Sequence, residues 1–349
     1  MRVTLAAGTA LGAGTAIALP AAVAGVVATG AHLTAIVAPT ARVPQGHPDV
    51  AVIAVSRRAA LGRELLGGGD ADVYIGFCDR LPLLRRGGRV QVLVVQNPHL
   101  YSRSGVAATV GERAKFAALG WWARRSVRAA DRVICSTSAS RDDVAASARI
   151  DPATIEVIPI PATGISSTKG TQRNRIERIL LVGDLYTYKH TDVAVDAAGR
   201  FATAHPDRTI SLVHIGTDRH PAAVSAFDVA ATRAREAGVA VSRLGAISHD
   251  RVIAEMADAD VIVLASDTET QGLPLVEAMA VGLPVVARAI GPFVELGGDA
   301  FTAVPIDGGA EQFAAALASI DERDRRNLLS DAGRALHPPG ESWDLLPTT

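Results

Sequence analysis

DVIVLASDTETQGLPLVEAMAVGLPVVAR, residues Asp260 to Arg288, reads as a strand, an irregular loop, a short helix and a second strand. Val261-Ile262-Val263-Leu264 and Val285-Val286 are the unbroken apolar runs carried by parallel strands covered on both faces. Pro274 opens the helix, because its missing N–H is an orphan there anyway, and Gly282 closes it by tolerating a left-handed turn. In an open parallel sheet the loop after such a strand faces the ligand crevice, and the next helix aims its free amides there. An anion is therefore expected near Gly272, Leu273, Pro274 and Leu275. Two carboxylates flank that point, Glu269 in the loop and Glu277 about one turn into the helix. Pattern alone leaves a second reading open, in which both are solvated surface carboxylates.

The chain has 349 residues, 48% of them apolar and 20% charged, enough for two Rossmann-sized domains and too apolar for a disordered chain. Cys78 and Cys135 lie in strand-like runs and read as buried free thiols without a disulfide framework. No Asp, Glu, Lys or Arg falls between Arg2 and Arg42, yet glycines and Pro20 break this alanine-rich region short of a membrane span. It reads instead as a strand from Arg2 to Ala7, a glycine loop LGAGTA, a helix from Ala16 to Thr29 and a strand from His32, in a cytoplasmic protein.

Ala71-Asp72, Ala130-Asp131 and Ala259-Asp260 each feed an apolar strand, a repeat expected of helix-to-strand junctions in a layered α/β protein. A polar stretch from Ala162 to Arg175 reads as a linker, followed by Arg178-ILLVGD as the first strand of a second domain. The expected division is 1–165 and 176–335, with a tail over 336–349 that is a candidate for return to the first domain. Residues 1–165 carry 18 Lys+Arg against 11 Asp+Glu and the remainder 17 against 25, so a basic first domain could meet an anionic acceptor or membrane surface. The helix expected around Trp121 and Trp122 has its tryptophans in the core and its arginines in water.

The run ETQGLPLVE, two glutamates with seven residues between, followed by AMAVGLPVVA, closely resembles the signature of retaining glycosyltransferases of family 4. The resemblance implies the GT-B fold, two Rossmann-like doubly wound domains facing each other across a cleft, and covers nearly the whole chain, most strongly residues 176 to 305. It implies transfer of a sugar from a nucleotide diphosphate donor to an acceptor hydroxyl, with retention and no metal or other cofactor. Glu277 then meets the ribose hydroxyls and Glu269 those of the sugar. Gly12 and Gly14 fall where the family's glycine loop approaches the donor phosphate, and Arg243 to Gly245 form the loop that touches the base.

His99 is the candidate for the family's acceptor-side histidine, although a lone loop histidine is more often solvated or capping. Gly183, Tyr188 and Lys189 resemble the family's diphosphate loop, but Asp184 stands where an arginine is usual, and an anion there repels phosphate unless it points away or binds a hydroxyl. Asp70-Ala71-Asp72 and Asp258-Ala259-Asp260 look like the metal-binding Asp-x-Asp of the other glycosyltransferase fold, yet they precede strands, away from the crevice. An epimerase or phosphorylase on the same fold, or a weakly active nucleotide-sugar-binding subunit, are the rival readings. Nothing in the sequence points to nucleic acid.

Overall fold

The computed structural model describes residues 1–8, 13–39, 41, 43, 47–67, 69–77, 79–101, 110–165, 173–340 and 342–346. The chain divides into two compact units, Met1–Thr163 with Gly340–Thr349, and Gly164–Pro339. Among the described residues no helix is long and apolar enough to cross a membrane.

The first unit runs β1 (Arg2–Ala7), α1 (Ala13–Ala28), β2 (His32–Val37), β3 (Val50–Ala54), α2 (Arg57–Leu66), β4 (Ala71–Gly76), β5 (Gly88–Val94), α3 (Val110–Ala129), β6 (Arg132–Cys135), α4 (Ser138–Ala148) and β7 (Ile155–Val157). Its strands lie in the order β3-β2-β1-β4-β5-β6-β7, with parallel ladders throughout. The small residues of α1 have a packing reason. A Cβ on Gly25 would stand 2.0 Å from the carbonyl oxygen of Trp343, so only glycine lets the C-terminal segment cross this helix. Trp343 is fully buried there, donating its N–H to Ala21 O at 3.0 Å and Nε1–H to Ile158 O at 3.2 Å, with its ring edge-on to Phe77.

Two expectations for this unit change, the start of α1 and the place of Trp121, while that for Cys135 holds. Helix α1 begins at Ala13, so Gly14 lies in its first turn and not in a loop; Gly12 and Cys78 fall outside the described residues. Cys135 is buried, with its thiol pushed up to about 12 by desolvation. Of the two α3 tryptophans only Trp122 is in the core, donating Nε1–H to Leu81 O, whereas Trp121 is 58% exposed, because adjacent residues of a helix point about 100° apart.

The second unit runs β8 (Arg178–Val182), α5 (Thr191–Ala204), β9 (Ser211–Ile215), α6 (Pro221–Glu236), β10 (Ala240–Gly245), α7 (His249–Asp258), β11 (Val261–Leu264), α8 (Leu273–Val281), β12 (Val285–Arg288), α9 (Gly291–Gly297), β13 (Thr302–Val304), α10 (Ala310–Ser319) and α11 (Arg323–Leu336). Its parallel sheet is ordered β10-β9-β8-β11-β12-β13, so the winding reverses between β8 and β11. All four residues of β11 are buried, as their unbroken apolar run requires. Helix α11 is not expected from the sequence, being dominated by charged residues; Leu329, Ser330 and Gly333 turn inward, and Ser330 Oγ donates to Gly282 O at 2.6 Å.

The repeated Ala-Asp pairs share one physical role. Asp72 accepts from the backbone N–H of Arg2 at 2.8 Å, Asp131 from that of Gln91 at 2.7 Å, and Asp260 from those of Glu177 and Arg178 at 3.0 and 2.8 Å. Each aspartate introduces one strand and holds the adjoining parallel strand, β4 to β1, β6 to β5 and β11 to β8. Asp70 and Asp258 pair with Arg2 and with Arg173 and Arg178.

Candidate active site

The winding reversal brings the loops after β8 and β11 side by side. Asp267 donates its N–H to Tyr188 O at 2.9 Å, and its carboxylate lies 2.5 Å from His190 Nε2. Between them, Lys189 Nζ forms an ion pair with Glu269 Oε1, both side chains about 85% covered. The same ammonium lies 5.4 Å from the Tyr188 ring centroid, and a Cβ on Gly183 would touch the lysine stem at 3.7 Å. Burial pushes the Tyr188 phenol well above its ordinary value, so it remains a neutral wall beside the cation. Tyr186 stacks on Tyr188 at 5.4 Å and meets His220 edge-on at 4.9 Å.

The β8 loop is held from beneath. Gly183 O accepts from His214 Nε2 at 2.9 Å, and His214 is fully buried, its imidazole held neutral chiefly by desolvation. Asp184 accepts from Thr217 N and Oγ1, both at 2.8 Å, and from Arg219 Nε at 2.9 Å. Burial alone would raise its carboxyl, but these donors outweigh it and hold the group below the usual carboxylate range. Asp184 is thus a tie between the β8 and β9 loops, with its charge compensated.

Helix α8 starts from Gly272, whose φ of 77° is left-handed and whose Cβ, if present, would stand 2.1 Å from the Phe293 ring. Pro274 occupies the first turn and Gly282 the end, as the sequence indicates. Glu277 is not the solvated carboxylate that pattern alone allowed. It is 1% exposed, and its Oε1 lies 2.7 Å from Nε2 of His249, the first residue of α7.

In the first unit, His99 sits in a single 3₁₀ turn, Pro98–Leu100, after β5 and is half-buried, its N–H donating to Asn97 Oδ1 at 3.1 Å. The preceding amides of Gln96 and Asn97 both donate to Asp79 Oδ1, at 2.9 and 3.2 Å. Asp79 is fully buried in the left-handed region, φ 61°, and desolvation pushes its carboxyl up to about 6.

The family described as Glycosyl transferases group 1 matches residues 167–335. That span, just under half of the chain, is a glycosyltransferase group 1 domain. Among curated relatives, a D-inositol 3-phosphate glycosyltransferase of Corynebacterium kroppenstedtii is 26% identical over 232 residues, 61% of this chain and 51% of that protein. The enzyme of the same name from Geodermatophilus obscurus is 28% identical over 276 residues, 73% of this chain and 59% of that one. The chain spans about half the length of the curated relatives it matches. WaaG, a glycosyltransferase involved in lipopolysaccharide biosynthesis, aligns with a TM-score of 0.69 at 16% identity, covering 99% of this chain and 97% of its own. Anabaena HepE, solved in complex with UDP and glucose, aligns at 0.70 and 16%, covering 97% and 94%. The fold is GT-B, as the glutamate motif implied.

The residues singled out in the sequence of the second unit lie as follows. Gly183, Asp184, Tyr188, Lys189 and Glu269 meet at the ends of β8 and β11, and Gly272, Leu273, Pro274 and Glu277 follow on α8. Arg243 and Gly245 are in the edge strand β10 rather than in a loop, with a break in register between them. The Arg243 guanidinium pairs with Asp218, lies 3.6 Å from Asp228 and covers the Phe227 ring at 5.1 Å. Sequence reasoning missed Asp79, His214, Thr217, Arg219 and His249. Their signal is tertiary, since each acts on a residue 17 or more positions away.

Proposed function

We propose that the protein is a retaining glycosyltransferase that moves a sugar from a nucleotide diphosphate donor to an acceptor hydroxyl without a metal. The observation that carries this reading is the Lys189–Glu269 ion pair set against Gly183 where the second sheet reverses its winding. The group 1 match, the relatives' common name and the UDP held by HepE support it. In the reaction the bond from the anomeric carbon to the diphosphate breaks, and one from the acceptor oxygen forms on the same face. The acceptor's proton leaves with the diphosphate. Charge grows on that leaving group, so cations and amides that meet it as it departs act on the rate.

Lys189 takes this role, with the amide end of α8 at Gly272 and Leu273 beside it, and Gly14 in the first turn of α1 as the first unit's phosphate contact. Glu269 holds the sugar's hydroxyls once the phosphate competes for its lysine, and Glu277 holds the ribose. Arg243 to Gly245 adjoin the base, and His99 serves the acceptor. That Asp72 and Asp260 are committed to backbone N–H groups supports metal independence.

The relatives' name and the basic first domain favour an anionic polyol as acceptor. The exposed Trp121, Arg125 and Arg128 of α3 favour contact with the inner face of a membrane, in the cytoplasm. A thermal-shift screen of nucleoside diphosphates fixes the base. Product analysis with the matching donor, in excess chelator, then shows a new glycoside with the donor's anomeric configuration. Inversion, hydrolysis alone, or activity that chelation abolishes and magnesium or manganese restores would each sink this reading.

A further inference from the structure

Glu277 sits in α8 among Leu275, Val276, Ala278, Met279, Ala280 and Val281, all 2% exposed or less. A carboxylate so placed requires a partner, because desolvating it uncompensated is costly. That partner comes from a different helix. His249 opens α7, and its Nε2 meets Glu277 Oε1 at 2.7 Å while its ring remains 28% exposed at the side chain. An imidazole has two rotatable bonds, so one hydrogen bond to it removes most of the rotational freedom of the longer glutamate. The bond also occupies one of the two carboxylate oxygens.

We propose that His249 is the positioning residue of the donor's ribose site, holding Glu277 Oε1 so that the second oxygen is presented to the ribose hydroxyls. The inference rests on the assignment of Glu277 to the ribose and adds the residue that orients it. The pair's electrostatics agree: the hydrogen bond to Glu277, outweighing burial, raises the His249 imidazolium above its ordinary range. A cation is not otherwise favoured at a helix N-terminus. The hydrogen bond therefore joins a charged or readily charged donor to a buried anion, the kind that fixes geometry most firmly.

The test is the preference for ribose over 2′-deoxyribose, measured by calorimetry with UDP against 2′-deoxy-UDP and GDP against 2′-deoxy-GDP, taking the base that binds more tightly. Both ligands of a pair share base and diphosphate, so a general loosening of the fold leaves their ratio unmoved. The wild type should prefer the ribonucleotide by about tenfold or more. His249→Phe should bring the ratio below about threefold, whereas His249→Gln, which keeps a donor, should retain most of it. If His249→Phe does not fold, His249→Asn withdraws the donor on a shorter, polar side chain and should also lose the preference. Full discrimination in the His249 variants, with Glu277→Gln losing it, overturns the inference alone. No nucleotide binding or no preference in the wild type, or a preference that survives Glu277→Gln, overturns the ribose assignment and the inference with it.

Discussion

Replacing Asp79 with asparagine should make the protein more stable, and only above about pH 5. The carboxyl of Asp79 is shifted by burial from 3.8 to about 6, and two units correspond to about 3 kcal/mol between its protonation states. Arg80 lowers the value and the two backbone amides lower it further, but desolvation prevails. The sign follows from linkage. Between pH 4 and 6 the folded chain binds the proton that the unfolded chain has lost, so folding stability falls as pH rises through this window and the full penalty stands above it.

Asparagine keeps an oxygen for the amides of Gln96 and Asn97 and tolerates a φ of 61° better than most residues. Asp79→Asn should therefore match the wild type near pH 4 and exceed it by up to ~3 kcal/mol at pH 7.5. Urea unfolding of both proteins at each pH reads this directly, since the other titrating groups cancel in the difference. A difference independent of pH, or a loss of stability at pH 7.5, would refute the reasoning. Should the ionised carboxylate be retained for the loop that carries His99, the stabilised variant will turn over more slowly.

Under the proposed function Lys189→Ala should lower turnover by ~10²-fold with a smaller effect on donor affinity, because the lysine would then meet a charge that grows in the transition state; steady-state kinetics separate the two. Asp184→Arg, the substitution that restores the family's usual residue, should weaken nucleoside diphosphate binding and stability, since Thr217 and Arg219 lose their common acceptor. Asp184→Asn, which keeps an acceptor for Thr217, should cost less in both the binding and the melting assay. Gly25→Ala should detach the C-terminal segment, because the new methyl would stand 2.0 Å from Trp343 O. We expect a cost of ~1–3 kcal/mol and faster amide exchange at Trp343, and unchanged exchange there would show that the helix can yield.

The strands were legible where their composition left one option: Val261 to Leu264 can be buried on both faces only in a covered sheet, and they are. The ends of α8 were legible because Pro274 and Gly282 act through their own backbones. Gly14 was misplaced because alanine and glycine alternate there without an apolar period, leaving the helix start unmarked. Trp121 and Trp122 illustrate a different limit, since a pair of tryptophans signals burial but not which of two adjacent positions faces inward. At the candidate site the glutamates and Lys189 were singled out by their resemblance to the family's motifs, whereas the compensation of Asp184 could not be read. It depends on Thr217 and Arg219, brought there by the β9 loop, and no local pattern announces an acceptor that is shared across two loops. His249 was hidden for the same reason, as Ser248-His249-Asp250 reads locally as nothing more than the start of a helix.

The aspartates that tie Arg2, Gln91 and Arg178 to neighbouring strands all act at the starting ends of the sheets. A slip of one residue would turn every side chain of a strand to the wrong face, so alignment has to be secured somewhere. Securing it at the starting ends leaves the opposite ends free to change. Loops there can be lengthened, shortened or exchanged between relatives without disturbing which residues of β1, β5 and β8 face the core. Specificity for a new donor or acceptor can thus be sought by exchanging those loops, with the three aspartates left untouched as the sheets' alignment marks.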